Sequence, residues 1–99
     1  MIRFQGAAVT ASASLYMTKL CKHFRHKIAV EFDERSADAR FPFGRCLMQA
    51  DADSLRFDCQ ADDDEAAARI RFVLDDHLVR FARRENLSIT WSEDIADEG

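Results

Sequence analysis

Three observations predict an α+β fold, with two helices on one face of a mainly antiparallel sheet in a two-layer arrangement. Two segments, starting near residues 13 and 66, repeat apolar residues at the helical period, and short runs between and after them alternate apolar and polar residues. Polar turn residues separate those runs. The expected element order is (β)αββββαβ. With 99 residues, 47% hydrophobic and 32% charged, the chain has material for one core that buries roughly 60 to 65% of its unfolded surface. It therefore reads as a single domain over 1–99, with a structured core from about 7 to 92 and an acidic, mobile tail over 93–99.

The first strand is weakly marked. Phe4 and Val9 anchor it and Gly6 interrupts it, so a short strand is expected around Ala7 to Thr10, after a loose amino terminus. Thr10 and Ser12 can each cap a helix, since their hydroxyls accept from the free N–H groups of a first turn. Ala13, Met17, Leu20 and Phe24 then follow at spacings of four, three and four, one stripe of a 3.6-residue period, flanked by Tyr16 and Cys21. Lys22, Arg25, His26 and Lys27 gather at its end, where cations complement the negative pole of the helix dipole.

Ile28, Val30 and Phe32 alternate with Ala29 and Glu31, and Asp33 to Ser36 supplies the turn of a hairpin. Ala37, Ala39, Phe41 and Phe43 share one face of the next run until Pro42 and Gly44 mark a corner. Cys46, Met48 and Ala50, then Leu55, Phe57 and Cys59, line the inner side of two further strands joined by the turn Asp51 to Ser54.

Asp62-Asp63-Asp64-Glu65 is the charge expected at a helix amino terminus. The helix behind it carries Ala66, Ile70, Val73, Leu74, Leu78, Phe81 and Ala82 on one wide stripe, with Arg69, Asp76, Arg80 and Arg83 mainly opposite. His77 lies beside that apolar stripe. Asn86 suits the helix end, and Leu87, Ile89 and Trp91 form a closing strand. No internal repeat is present. The aromatic set Phe41, Phe43, Phe57, Phe72, Phe81 and Trp91 reads as core, since each falls on an inward alternation or a helical stripe.

Charge narrows the partners. A net charge of −4, with basic residues around 19–27 and 69–84 and acidic ones around 51–65 and 93–98, disfavours nonspecific nucleic-acid binding. No apolar run approaches the ~20 residues of a membrane span, and Met1 to Gly6 lacks the apolar core of a signal peptide. A cytoplasmic protein is expected, with no membrane partner. Cys21, Cys46 and Cys59, odd in number and scattered, then read as free thiols.

Three words, Leu20-Cys21-Lys22-His23-Phe24-x-His26-Lys27, Phe41-Pro42-x-Gly44 and Asp76-His77-Leu78-x-Arg80-Phe81-Ala82-x-Arg84-Glu85, resemble in order and spacing a small bacterial family, domain of unknown function 2218. The resemblance spans about residues 9 to 92. Similar domains are joined to siderophore-interacting flavin reductases, so it implies an iron-uptake context with such a reductase as partner. The chain itself has no GxGxxG fingerprint for a flavin or dinucleotide.

The residues suggest two ligand chemistries. Lys22, His23, Arg25, His26 and Lys27, with Arg80 and Arg84, could form a positive patch for a small anionic ligand such as phosphate, carboxylate or siderophore oxygens. That makes a non-enzymatic binding or accessory module with no resident cofactor the leading expectation. The alternative is a metal- or haem-binding protein holding Zn, Fe or haem through His23, His26 and His77. Cys21 drops out of such a set, because on a continuous helix it points about 200° from His23. The flanking cations also oppose a metal ion. An uncatalogued enzyme is the third reading, without support from any GxSxG, HExxH, P-loop or paired CxxC motif. Asp76 and His77, adjacent on a helix, diverge by about 100° and make no dyad. The final strand around Ile89 and Trp91 is the edge that could pair with a second copy in a homodimer.

Overall fold

The computed structural model describes residues 1–92 and, as backbone, 95–96. Its elements are β1 (Ile2–Val9), α1 (Ala13–Phe24), β2 (Ala29–Phe32), β3 (Ser36–Phe41), β4 (Gly44–Ala50), β5 (Ser54–Ala61), α2 (Asp64–Phe81), β6 (Thr90–Trp91) and β7 (Ile95–Ala96). The α+β class and the element order are those expected. All strand pairs are antiparallel, and the spatial order is β2-β3-β4-β5-β1-β6, with β7 also paired to β1.

β2 to β5 form a meander, because each polar turn is too short for anything but a return hairpin. Phe41 pairs with Gly44, so Pro42 and Phe43 are the whole connection at that corner. Alternation then puts Ala37, Ala39, Cys46, Met48, Leu55, Phe57 and Cys59 on the helix-facing side, all buried. The opposite face, with Arg40, Arg45, Leu47, Gln49 and Arg56, is exposed.

β1 departs from expectation. It begins at Ile2 rather than Ala7, and it runs next to β5 over its full length, from Ile2 opposite Ala61 to Val9 opposite Ser54. Its inward positions are Phe4, Gly6 and Ala8, only one of them large, which is why alternation alone marks it poorly. Gly6 has a packing reason: a Cβ there would lie 2.5 Å from Trp91 Cε3 and 2.8 Å from Ile89 Cγ2. The absent side chain lets the indole lie across β1 against Phe4 and Phe57, with ring centroids at 5.5 and 5.8 Å. Trp91 Nε1 donates to both oxygens of Asp75 on α2 at 3.1 and 3.2 Å, tying β6 to the helix.

Both helices cover the same sheet face. α1 buries Ala13, Tyr16, Met17, Leu20, Cys21 and Phe24, and α2 buries Ala66, Ala67, Ile70, Leu74 and Leu78. The amino terminus of α2 is capped by Asp63, whose carboxylate accepts from Ala66 N–H at 2.8 Å. α1 has no side-chain cap at Ser12; instead Thr10 Oγ1 accepts from Ser12 N–H at 3.0 Å. α2 ends at Phe81, earlier than Asn86, and the turn that follows carries Glu85 back toward α1, with Asn86 at φ 52°.

Phe72 does not join the core. It is 70% exposed, because its position on α2 is diametrically opposite the stripe of Ile70, Leu74 and Leu78. Of the tail expected from residue 93, positions 95–96 pair with β1, while 93, 94 and 97–99 lie outside the described residues.

Candidate functional site at the helix pair

The two helices run antiparallel: Tyr16 near the start of α1 meets Glu85 beyond α2, and His23 near its end meets His77 one turn before the end of α2. Two of the three sequence words thereby come together in space. His23 Nε2 lies 3.0 Å from His77 Nε2, with ring centroids 4.6 Å apart. His77 Nδ1 lies 2.7 Å from the Val73 carbonyl on its own helix. A carbonyl only accepts, so this nitrogen carries a proton, and in the neutral ring Nε2 is left as an acceptor for His23 Nε2–H. Phe24 packs edge-on to His77 at 5.2 Å, and Phe41 of the second word is edge-on to Phe24 at 5.8 Å. The pair therefore has an aromatic floor.

The rim is basic. Lys22 and His23 occupy the last turn of α1, Arg25 is its carboxy-terminal cap, and His26 and Lys27 follow in a turn closed by Lys27 N–H to the Phe24 carbonyl at 2.9 Å. All five are exposed, and among the described residues Lys22, Arg25 and Lys27 make no ion pair. Across the interface Arg80 is also exposed and bonds Asp76 at 3.3 Å, the turn-to-turn pairing its spacing allows. His23 is held below the usual imidazole pKa, first by partial desolvation and then by the positive charge of His77, Lys27, His26 and Arg80. Arg84 stands apart from that rim, in the turn that carries Glu85 to Tyr16.

No set of three or more His, Cys, Asp or Glu side chains converges as a metal cage among the described residues. The thiols are buried: Cys21 is pushed up to about 11 by desolvation, and Cys46, opposite Cys59 across β4 and β5, is raised first by burial and further by the neighbouring Cys59. Such thiols are poor nucleophiles. A concavity of about 1140 Å³ lies over the uncovered sheet face, where Arg45 already grips Asp38 at 2.9 and 2.6 Å.

One polar cluster was not anticipated from sequence. Glu85 accepts from Thr10 Oγ1 at 2.9 Å and from the Tyr16 hydroxyl, joining the end of β1, the start of α1 and the end of α2. Glu85 closes the third sequence word, which is the one signal that marked it.

A two-layer α+β domain with a basic, histidine-bearing seam between its helices is the class this geometry defines. The chain belongs to the family described as uncharacterized protein conserved in bacteria (DUF2218), whose model matches residues 5–92. It is similar to PA4090 from Pseudomonas aeruginosa, solved by NMR, at 33% identity and a TM-score of 0.78, covering 93% of this chain and 96% of that one. No curated protein matches it. Among the described residues no helix is long and apolar enough to cross a membrane.

Proposed function

We propose that the chain is a small binding or accessory module that takes a compact oxyanionic ligand, phosphate or polycarboxylate in character, at the basic seam between α1 and α2. The observation that carries this is the run of exposed cations Lys22, Arg25 and Lys27, which make no ion pair among the described residues, beside the histidine pair. Exposed cations beside hydrogen-bonding imidazoles suit oxygen-rich anions, which accept charge-assisted bonds from several donors at once. A siderophore-iron setting, with a siderophore-interacting reductase as partner, rests on the family resemblance alone.

Calorimetric titration with phosphate, citrate and ferric citrate tests the reading. Arg25→Glu with Lys27→Glu is expected to weaken binding at least about tenfold while thermal unfolding stays nearly unshifted, because both side chains are exposed. Unchanged affinity in that variant would sink the proposal.

A second reading rests on the 3.0 Å approach of the His23 and His77 Nε2 atoms. Fixing of the His77 ring through its other nitrogen is the support that metal-ligating histidines commonly receive. Titration with Zn, Fe and haem tests it. Binding that disappears in His77→Ala would favour this reading, and no binding would remove it.

A further inference from the structure

We propose that Cys46 and Cys59 are an oxidation site, a dithiol preset across the β4–β5 hairpin to close as an intramolecular disulfide when the chain meets a hydroperoxide. The anion-binding reading is independent of this site.

Strand register places the two thiols. Cys46 lies directly opposite Cys59, and both side chains point to the helix-facing side, where each is fully buried. Ala50 N–H donates to the Arg35 carbonyl at 2.7 Å, so the backbone of Ala50 bonds toward β3, while Asp51 N–H turns the other way to the Ser54 carbonyl at 2.8 Å. Alternation carries this back along β4 in steps of two, through Met48 to Cys46, which therefore bonds toward Ala39 of β3. On the other strand Thr10 N–H donates to the Asp53 carbonyl at 3.0 Å, and steps of two from Asp53 give Cys59 its bonds toward Phe4 of β1.

Cys46 and Cys59 thus face each other without sharing a backbone hydrogen bond. Pairs of this kind hold their Cα atoms about 4.5 Å apart, with the side chains at their closest, inside the roughly 4.4–6.8 Å that a disulfide spans. Joining the sulfurs asks for no movement of the backbone. Cys21, the third buried thiol, belongs to α1 and stands outside this register.

The step is a two-electron oxidation. One sulfur, as thiolate, attacks a peroxide oxygen; the O–O bond breaks, a sulfenic acid forms, and the thiol proton leaves with the other oxygen as water. The second sulfur then displaces the sulfenic hydroxyl, and its proton leaves with that oxygen. Two thiols and one hydrogen peroxide become one disulfide and two waters. Burial keeps the Cys46 thiol protonated and the pair lies under the helices, so the first attack awaits local opening of that layer. The second follows at once, because the hairpin already holds the partner in place.

Intact mass and peptide mapping of the full chain after hydrogen peroxide treatment read the bond, in buffer and in urea just below the unfolding transition. Trypsin separates the cysteines into peptides 46–56, 57–69 and 20–22. The expected product has lost two hydrogens, links 46–56 to 57–69 and leaves Cys21 alone to be alkylated once unfolded; dithiothreitol restores all three thiols. Its circular dichroism spectrum should match that of the dithiol form, and it should melt at a higher temperature, since the bridge restrains the unfolded chain. Cys21→Ala is expected to keep the link and Cys59→Ala to abolish it.

Three alkylatable thiols under both conditions would overturn the proposal. So would a link through Cys21, a link between two chains, or sulfinic acid on either strand cysteine in place of the bond. A bridged form that melts below the dithiol form would also overturn it, because the pair would then not be preset for the bond.

Discussion

His23 Nε2 and His77 Nε2 sit 3.0 Å apart across the two helices, and the Val73 carbonyl holds the other side of the His77 ring at 2.7 Å. Only one hydrogen fits between the two facing nitrogens. Protonating His23 adds positive charge close to that of Lys27, His26 and Arg80.

The pair thus gives a pH signature. The folded-state pKa of His23 is lowered, so near the ordinary histidine value of about 6.5 the unfolded chain binds more protons. Stability from this group is complete above that value and is lost as pH falls from it through the lowered folded-state pKa. Thermal midpoints between neutral and mildly acidic pH are expected to fall less in His23→Gln than in the parent chain. Parallel profiles for the two proteins would show that His23 does not titrate in this way.

Tyr16 offers a cleaner titration, because it is the only tyrosine. Its hydrogen bond to Glu85, partial desolvation and the charge of Glu85 raise its pKa, outweighing Arg84. Ultraviolet titration of the phenol is expected to show ionisation above the usual value near 10, and Glu85→Gln should bring it down. A phenol that ionises at the same pH in both proteins would remove Glu85 from its environment.

Gly6→Ala tests the Trp91 seat. The added methyl would meet Trp91 Cε3 at 2.5 Å and Ile89 Cγ2 at 2.8 Å, inside the tight space between β1 and β6. Overpacking of this kind costs about 1–3 kcal/mol, and each kcal/mol lowers the melting temperature of a domain this size by roughly 4–8 °C. The emission of Trp91, the one tryptophan, should shift as its ring leaves Phe4 and Phe57. A melting temperature and emission equal to the parent's would mean that the indole is not seated there.

Much of the architecture follows from the sequence alone. The stripes of α1 and α2, the meander from Val30 to Cys59 and the inward thiols are local consequences of periods of 3.6 and 2, so the α+β class and the element order could be read directly. Periodicity says which side of an element faces inward. It does not say what lies opposite.

Tertiary structure decided those pairings. β1 is an inner strand from Ile2 onward because β5 supplies its hydrogen bonds, not because its residues alternate strongly. His23 and His77, separated by more than half the chain, meet only because the antiparallel helices lie on one sheet face. Phe72 looked like core in an apolar stretch, yet α2 turns it to solvent, because a helix on a sheet buries only one side. Glu85 reaches Thr10 and Tyr16 through a turn that no local pattern announces, and those partners lie at the far end of the chain.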